Sequence, residues 1–208
     1  VSASGRGGER LAKDQYPTQP WCVERLLEVL PVETESKAWL EPCAGSGTII
    51  QEVNRLLLVN DLPQPEWTAI ELDDKYQAEL SAIRKPVDVI IDDFLRATEE
   101  TTEKVFDVTI SNPPYSLAME FVERCLRISH LTAMLLRVGF LESETRADWI
   151  REHTPDVYIL PNRPSFAHGR TDNCAYAWMV WGQPRSRGTL RVLDSTPRNV
   201  RVRKRTDP

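Results

Sequence analysis

The chain has 208 residues, 41% of them apolar and 27% charged, which suits one globular domain with a full core and excludes wholesale disorder. Its formal net charge of −5 points by itself to no nucleic-acid partner, and no apolar run approaches the roughly 20 residues of a membrane span. Four scattered cysteines, Cys22, Cys43, Cys125 and Cys174, include no C-x-x-C pair; this argues against a zinc site or disulfide framework and fits a reducing cytoplasm.

The opening stretch, Val1 to Lys13, is polar, lacks the apolar centre of a secretory signal and reads as a flexible arm. Val23, Leu26, Leu27 and Leu30 then recur at helical spacing, which predicts a helix from Pro20 to Leu30, stopped by Pro31. A strand over Ala38–Leu40 leads through a glycine turn, residues 44–47, into a helix from Thr48 to Leu57. Strand Thr68–Leu72 and helix Asp74–Ile83 follow, then a fully buried strand at Val87–Ile91 and a fourth at Val105–Ser111. A helix spans Ser116–Ile128, a fifth strand Leu131–Val138 and a further helix Glu144–Glu152. Val157–Leu160 and Ala175–Trp181 close the pattern, with only a polar loop between them.

This alternation predicts an α/β fold: a doubly wound, mostly parallel seven-stranded sheet, Rossmann-like, with one antiparallel edge strand. Residues 14–182 form the domain, and 183–208 are a basic tail. Eight Arg/Lys against Asp194 and Asp207 give that tail a balance of +6 and leave −11 on the rest. Such asymmetry suits a phosphate-binding patch, and equally a solvated tail.

In doubly wound sheets, ligands sit outside the carboxyl ends of the strands. The first such end is Glu41-Pro42-Cys43-Ala44-Gly45-Ser46-Gly47-Thr48. It lacks the G-K-[ST] ending of a phosphate loop, and Glu41 would repel phosphate while suiting an ammonium or sulfonium group. A plain structural turn is the other reading. The second strand ends Ile70-Glu71-Leu72-Asp73, with Glu71 at the position that binds ribose hydroxyls in dinucleotide folds, or as a helix cap. The third ends Asp92-Asp93-Phe94. There a carboxylate can accept from an amino group and a ring can cover a base, or both acids are solvated beside a core Phe.

The fourth end is Ser111-Asn112-Pro113-Pro114-Tyr115. Two prolines cannot extend a central strand and stiffen the loop. Asn112 offers a side-chain carbonyl, Pro113 a backbone carbonyl and Tyr115 a stacking ring. Two acceptors drawing on the hydrogens of a planar amine would free its lone pair and stabilise the positive charge that develops as a methyl group arrives. Direct transfer from a sulfonium needs orientation more than a strong base.

With Asp14-Gln15-Tyr16-Pro17-Thr18-Gln19-Pro20-Trp21 preceding them, these five segments resemble, in order and spacing, the class I DNA N6-adenine methyltransferases of phage and restriction–modification type. The resemblance spans about residues 14–182. It implies S-adenosylmethionine as cofactor and DNA as partner. It implies that Tyr16 and Thr18 hold the methionine end, with Glu41, Cys43, Ala44, Gly45 and Gly47 beneath it. Glu71 and Leu72 would meet the ribose side, Asp93 the adenine amino group and Phe94 its ring. Asn112, Pro113, Pro114 and Tyr115 would carry catalysis, with Asn112 also touching the cofactor. Tyr115 and Phe166 would stack on an adenine taken out of the duplex. A cytoplasmic location in a bacterial or phage-infected cell follows, and no metal is implied.

The chain departs from the family in one respect. Only 93 residues follow Tyr115, and completing the sheet uses most of them, so little is left to read a DNA sequence. Either specificity is low, or a partner or oligomer supplies it, or the substrate is not duplex DNA. RNA adenine N6, RNA guanine N2 and protein glutamine amides suit the same chemistry; cytosine N4 suits it less, since those enzymes more often carry Ser at Asn112. Cys43 follows a proline like the nucleophile of cytosine-C5 enzymes but lies in the cofactor loop. A silent scaffold subunit is the non-catalytic alternative.

Overall fold

Residues 17–30, 37–84, 87–97, 105–164, 174–182 and 186–201 are described by the structure, a computed structural model. The expected arm, Tyr16 and Phe166 lie outside them.

Short runs rich in β-branched and aromatic residues alternate with amphipathic stretches, and each folds accordingly. Helix α1 (Pro20–Leu27) precedes β1 (Ala38–Glu41), α2 (Thr48–Val59) and β2 (Glu66–Glu71). A 3-10 turn (Asp74–Tyr76) and the short α3 (Gln77–Ser81) lead to β3 (Val87–Ile91) and β4 (Phe106–Ser111). Another 3-10 turn (Tyr115–Leu117) opens α4 (Ala118–Ile128), followed by β5 (Ser129–Arg137). Turns at Val138–Phe140 and Glu144–Arg146 precede α5 (Ala147–Glu152), β6 (Asp156–Ile159), β7 (Tyr176–Gly182), β8 (Leu190–Val192) and the single-turn α6 (Arg198–Arg201).

The strands form one sheet in the order β3-β2-β1-β4-β5-β7-β6-β8. β1 to β5 run parallel. β7 is antiparallel to both β5 and β6, and β8 is parallel to β6. The chain winds outward from β1 through β2 to β3, then crosses to β4 on the other side of β1. That reversal opens a crevice between the carboxyl ends of β1 and β4, where a doubly wound sheet takes its ligand.

The α/β, doubly wound, mostly parallel architecture is the expected one, with four differences. The described residues hold eight strands, not seven. The eighth lies in the stretch expected to be tail, where the Asp156 carboxylate accepts from the Arg187 N–H at 3.2 Å and the Thr189 N–H at 2.7 Å, fixing that segment beside β6. The antiparallel strand β7 is interior, because β6 and β8 add outside it. Val87–Ile91, expected to be fully buried, is an outer strand with Asp88 exposed, because the crossover to β4 leaves nothing beyond it. The helix expected over Asp74–Ile83 is mostly a 3-10 turn and five helical residues.

Side chains alternate across the sheet between two cores. Along β5, Ala133 and Leu135 join Trp21, Leu26, Trp39, Ile50 and Trp178 on one face. Met134 and Leu136 join Phe106, Phe121, Val122 and Trp181 on the other. Covered on both faces, the centre of β5 reads as an unbroken apolar run, Ala133 to Leu136. Buried indole N–H groups have partners: Trp178 Nε1 donates to the Cys22 carbonyl at 2.8 Å, and Trp67 Nε1 to Asn54 Oδ1 at 2.9 Å.

Candidate active site

The turn after β1 is built on two residues in the left-handed region, Gly45 (φ 52°) and Gly47 (φ 75°). Gly47 donates to the Ala44 carbonyl at 2.8 Å, and Ala44 donates to the Ile70 carbonyl at 3.0 Å, holding the turn against the end of β2. A Cβ on Gly47 would stand 2.7 Å from Ile83 Cδ1 and 3.0 Å from Leu80 Cδ2, whereas one on Gly45 would meet nothing within 4 Å. The first glycine therefore leaves room in front of the turn, and the second packs it onto α3.

That room is a cavity of about 230 Å³ at the carboxyl ends of β1, β2 and β4. Thr18, Glu41, Cys43, Ala44, Gly45, Glu71, Leu72 and Asn112, all expected at the site, line it. Pro114 of the stiff loop after β4 closes it. Pro17, Ser46, Thr48, Ile49 and Tyr76 also line it and were not expected. Tyr76 follows Glu71 by five residues in a turn that the sequence presents as helix; the Asp73 carboxylate, which accepts from the Lys75 N–H at 3.2 Å, was the available sign of that turn.

The cavity is acidic. Glu41 is 2% exposed and one of its oxygens, Oε2, is buried without a hydrogen-bond partner. Burial, reinforced by nearby Glu71, pushes the Glu41 carboxyl well above the usual carboxylate range, while the Ile50 N–H works the other way. An orphaned buried carboxyl oxygen beside an open cavity calls for a cation or a strong donor. Among the described residues no Lys or Arg lines the cavity to supply one. Burial, with Glu71 and Glu41 adding to it, also raises the Cys43 thiol, which keeps it protonated and unfit as a nucleophile.

Glu71 is tied more tightly than expected. Its Oε2 accepts from the Gly45 N–H at 2.6 Å and its Oε1 from the Asp73 N–H at 3.0 Å, so it braces the glycine turn while one edge lines the cavity. Asp93 and Phe94 do not line the cavity. Asp93 accepts from the Leu95 N–H at 3.0 Å and faces Arg96 at 3.5 Å. Phe94 packs into the core against Phe121, ring centres 5.2 Å apart, with Arg124 on it at 5.0 Å.

On the far side of the loop after β4, the Tyr115 hydroxyl donates to Asn112 Oδ1 at 2.9 Å. Burial, reinforced by Tyr176, pushes that hydroxyl well above the ordinary phenol range, Arg137 opposing; it stays a neutral donor. The Arg137 guanidinium lies over the Tyr115 ring at 4.8 Å, and Tyr176 packs beside it at 5.6 Å. Arg137 Nε in turn donates to the Tyr176 hydroxyl at 3.3 Å. The β5–β7 register sets Arg137 and Tyr176 opposite each other. Neither was expected at the site; a charge closing the apolar run of the fifth strand was the available signal.

No family model and no curated protein matches the sequence. Solved structures do match its fold. A protein of Listeria monocytogenes assigned to the class I S-adenosylmethionine-dependent methyltransferases superposes with a TM-score of 0.62 at 15% identity, over 86% of this chain and 65% of that one. The methyltransferase subunit of the Streptococcus thermophilus type I restriction–modification system gives 0.66 at 16% identity, over 96% and 57%. The 23S rRNA methyltransferase ErmE gives 0.56 at 17% identity, over 80% and 68%. The chain thus spans less than two thirds of the first two structures. At these identities the likeness is one of architecture: the chain has the Rossmann-like fold of class I methyltransferases.

Proposed function

We propose that this chain transfers a methyl group from S-adenosylmethionine to an exocyclic amine, the N6 of adenine in DNA. One observation carries the reading: the acidic cavity at the switch point shares Asn112 and Pro114 with the rigid Asn-Pro-Pro-Tyr loop, so donor and acceptor would meet across that loop.

The cavity residues suit this cofactor, whose methionine end is cationic and whose sulfonium supplies the activated methyl group. The orphaned Glu41 carboxyl and the acidic Glu71 favour positive charge there. Thr18 would donate a hydrogen bond to the cofactor, and the exposed Leu72 and half-buried Tyr76 would offer apolar cover. Asp93 is held by local partners and Phe94 by the core, so their adenine-binding role would require the turn after β3 to rearrange. Opposite the donor, Asn112 Oδ1 and the Pro113 carbonyl would accept from the two amine hydrogens, draw the nitrogen lone pair out of conjugation and stabilise the developing charge. The neutral Tyr115 hydroxyl orients the Asn112 carboxamide for that task.

The test is transfer of labelled methyl to DNA, RNA and protein acceptors, followed by digestion of the product. N6-methyladenine in DNA is the expected product; N2-methylguanine or methylglutamine would replace the substrate assignment. Asn112→Ala should lower the rate by about 100-fold or more, the scale of removing one stabilising contact to developing charge. Cofactor affinity, read by calorimetry, should stay within a few-fold. A fully active Asn112→Ala would overturn the mechanism.

A further inference from the structure

The cavity at the ends of β1, β2 and β4 measures about 230 Å³, smaller than the roughly 300–1,000 Å³ of sites that enclose a small-molecule ligand. β3 is the next strand outward from β2, so a ligand that fills the cavity and passes Leu72 meets the turn after β3. That turn stands shut: neither Asp93 nor Phe94 lines the cavity.

A side chain far along the chain holds it there. Arg124, half-buried on α4, donates through one terminal nitrogen to the Leu95 carbonyl at 2.9 Å and through the other to the Ala97 carbonyl at 2.7 Å. Its guanidinium lies 5.0 Å from the centre of the Phe94 ring, which also packs on Phe121 of the same helix. The near end of the turn is tied to the sheet, since the Asp92 N–H donates to the Glu71 carbonyl at 3.0 Å. Within the turn, the Arg96 and Ala97 N–H groups donate to the Asp93 carbonyl at 2.9 and 2.7 Å, and the Leu95 N–H to Asp93 Oδ1 at 3.0 Å. Residues 93–97 therefore form a compact unit, fixed at Asp92 and fastened to α4 through Arg124. Arg124 Nε is buried without a hydrogen-bond partner, so the fastening carries a cost that offsets part of what its two charge-assisted bonds contribute. A fastening with such a cost built in is one that ligand binding can release.

We propose that Arg124 is a positioning residue of the cofactor site, a latch that holds the turn after β3 shut and is released when the adenosyl end of the cofactor enters. The proposal rests on the methyl-transfer reading for the identity of the ligand. Only molecules with the turn released accept the adenosyl end, so the apparent affinity is scaled down by the fraction released. A residue that merely braced the fold would behave in the opposite way: its loss would lower the affinity or leave it unchanged.

The experiment compares the full chain as wild type, Arg124→Met, Arg124→Lys and Arg127→Met, the last an exposed arginine of α4 that does not line the cavity. Calorimetry reads the binding of S-adenosylmethionine and of methylthioadenosine, which keeps the adenosyl end without the amino acid. Hydrogen exchange reads the Leu95, Arg96 and Ala97 amides, and thermal melting checks folding. Arg124→Met should melt lower in the absence of ligand, exchange faster at those three amides and bind both ligands about 3- to 10-fold more tightly. Arg124→Lys, whose ammonium can replace only part of the two-carbonyl contact, should fall between, and Arg127→Met should match the wild type. An affinity unchanged or lowered in a folded Arg124→Met would overturn the proposal, and so would unaltered exchange at the turn. Failure of the wild type and every variant to bind either ligand would overturn the methyl-transfer reading and the latch together. Binding with the expected changes but no methyl transfer to any acceptor would leave the latch standing and overturn the methyl-transfer reading alone.

Discussion

Glu41 concentrates the electrostatics of the site in one side chain. A carboxyl raised by burial keeps its proton in the folded state where the unfolded chain has lost it. Folded and unfolded forms then differ in bound protons over the interval above the ordinary carboxylate range, and the ligand-free protein loses stability as pH rises through it. Glu41→Gln should remove that slope, leaving a melting temperature flatter with pH above the ordinary carboxylate range than that of the wild type. Melting curves in the absence of ligand check this; parallel pH profiles would refute it. The same variant should weaken cofactor binding, because the carboxyl that can give up its proton to pair with a cation is gone. Cys43, close by, should resist alkylation at neutral pH, since its thiol is held protonated.

The glycine turn after β1 is the element on which the cavity depends, and its two glycines are required for different reasons. Gly45→Ala meets open space and bears only the cost of a left-handed backbone, about 1 kcal/mol. Gly47→Ala adds a collision with Ile83 and Leu80 and should cost about 1–3 kcal/mol in all. Urea unfolding of both variants tests the ordering; equal losses would mean that α3 yields freely. The order of the motifs was legible because each ends a strand, and a strand is a local apolar run. The direction of Asp93 and Phe94 was not. An acidic residue after a strand can face a ligand or cap its own turn, and here the Leu95 N–H and Arg96 hold it locally. Phe94 follows the core because Phe121 and Arg124, nearly thirty residues on, complete a pocket for its ring.

For the molecule as a whole, the extra strand changes what a truncation should do. β8 pairs with β6 from Val157 to Ile159, Leu193 and Thr196 are buried, and Asn162 Oδ1 accepts from the Thr196 N–H at 2.6 Å. Removing residues 186–208 would leave Asp156 and Asn162 without these partners and bare the outer side of β6. A melting temperature lower by several degrees is expected, on the scale of about 1–3 kcal/mol for lost buried contacts and hydrogen bonds. An unchanged melting temperature would show that β8 adds nothing to the fold. A nucleic-acid experiment on such a truncation therefore has to be read against its stability.

The sequence by itself determined the alternation of strands and helices, the mostly parallel sheet, the stiff Asn-Pro-Pro-Tyr loop and most of the cavity lining. These follow from local periodicity and from residues with fixed backbone preferences. Only the tertiary structure decided which strand is outermost, where the antiparallel strand inserts and that a stretch of the basic tail joins the sheet. It also decided that Glu71 braces the glycine turn and that Arg137 and Tyr176 meet Tyr115. Each of these depends on partners far apart in the chain, brought together by sheet register and not by any pattern along it.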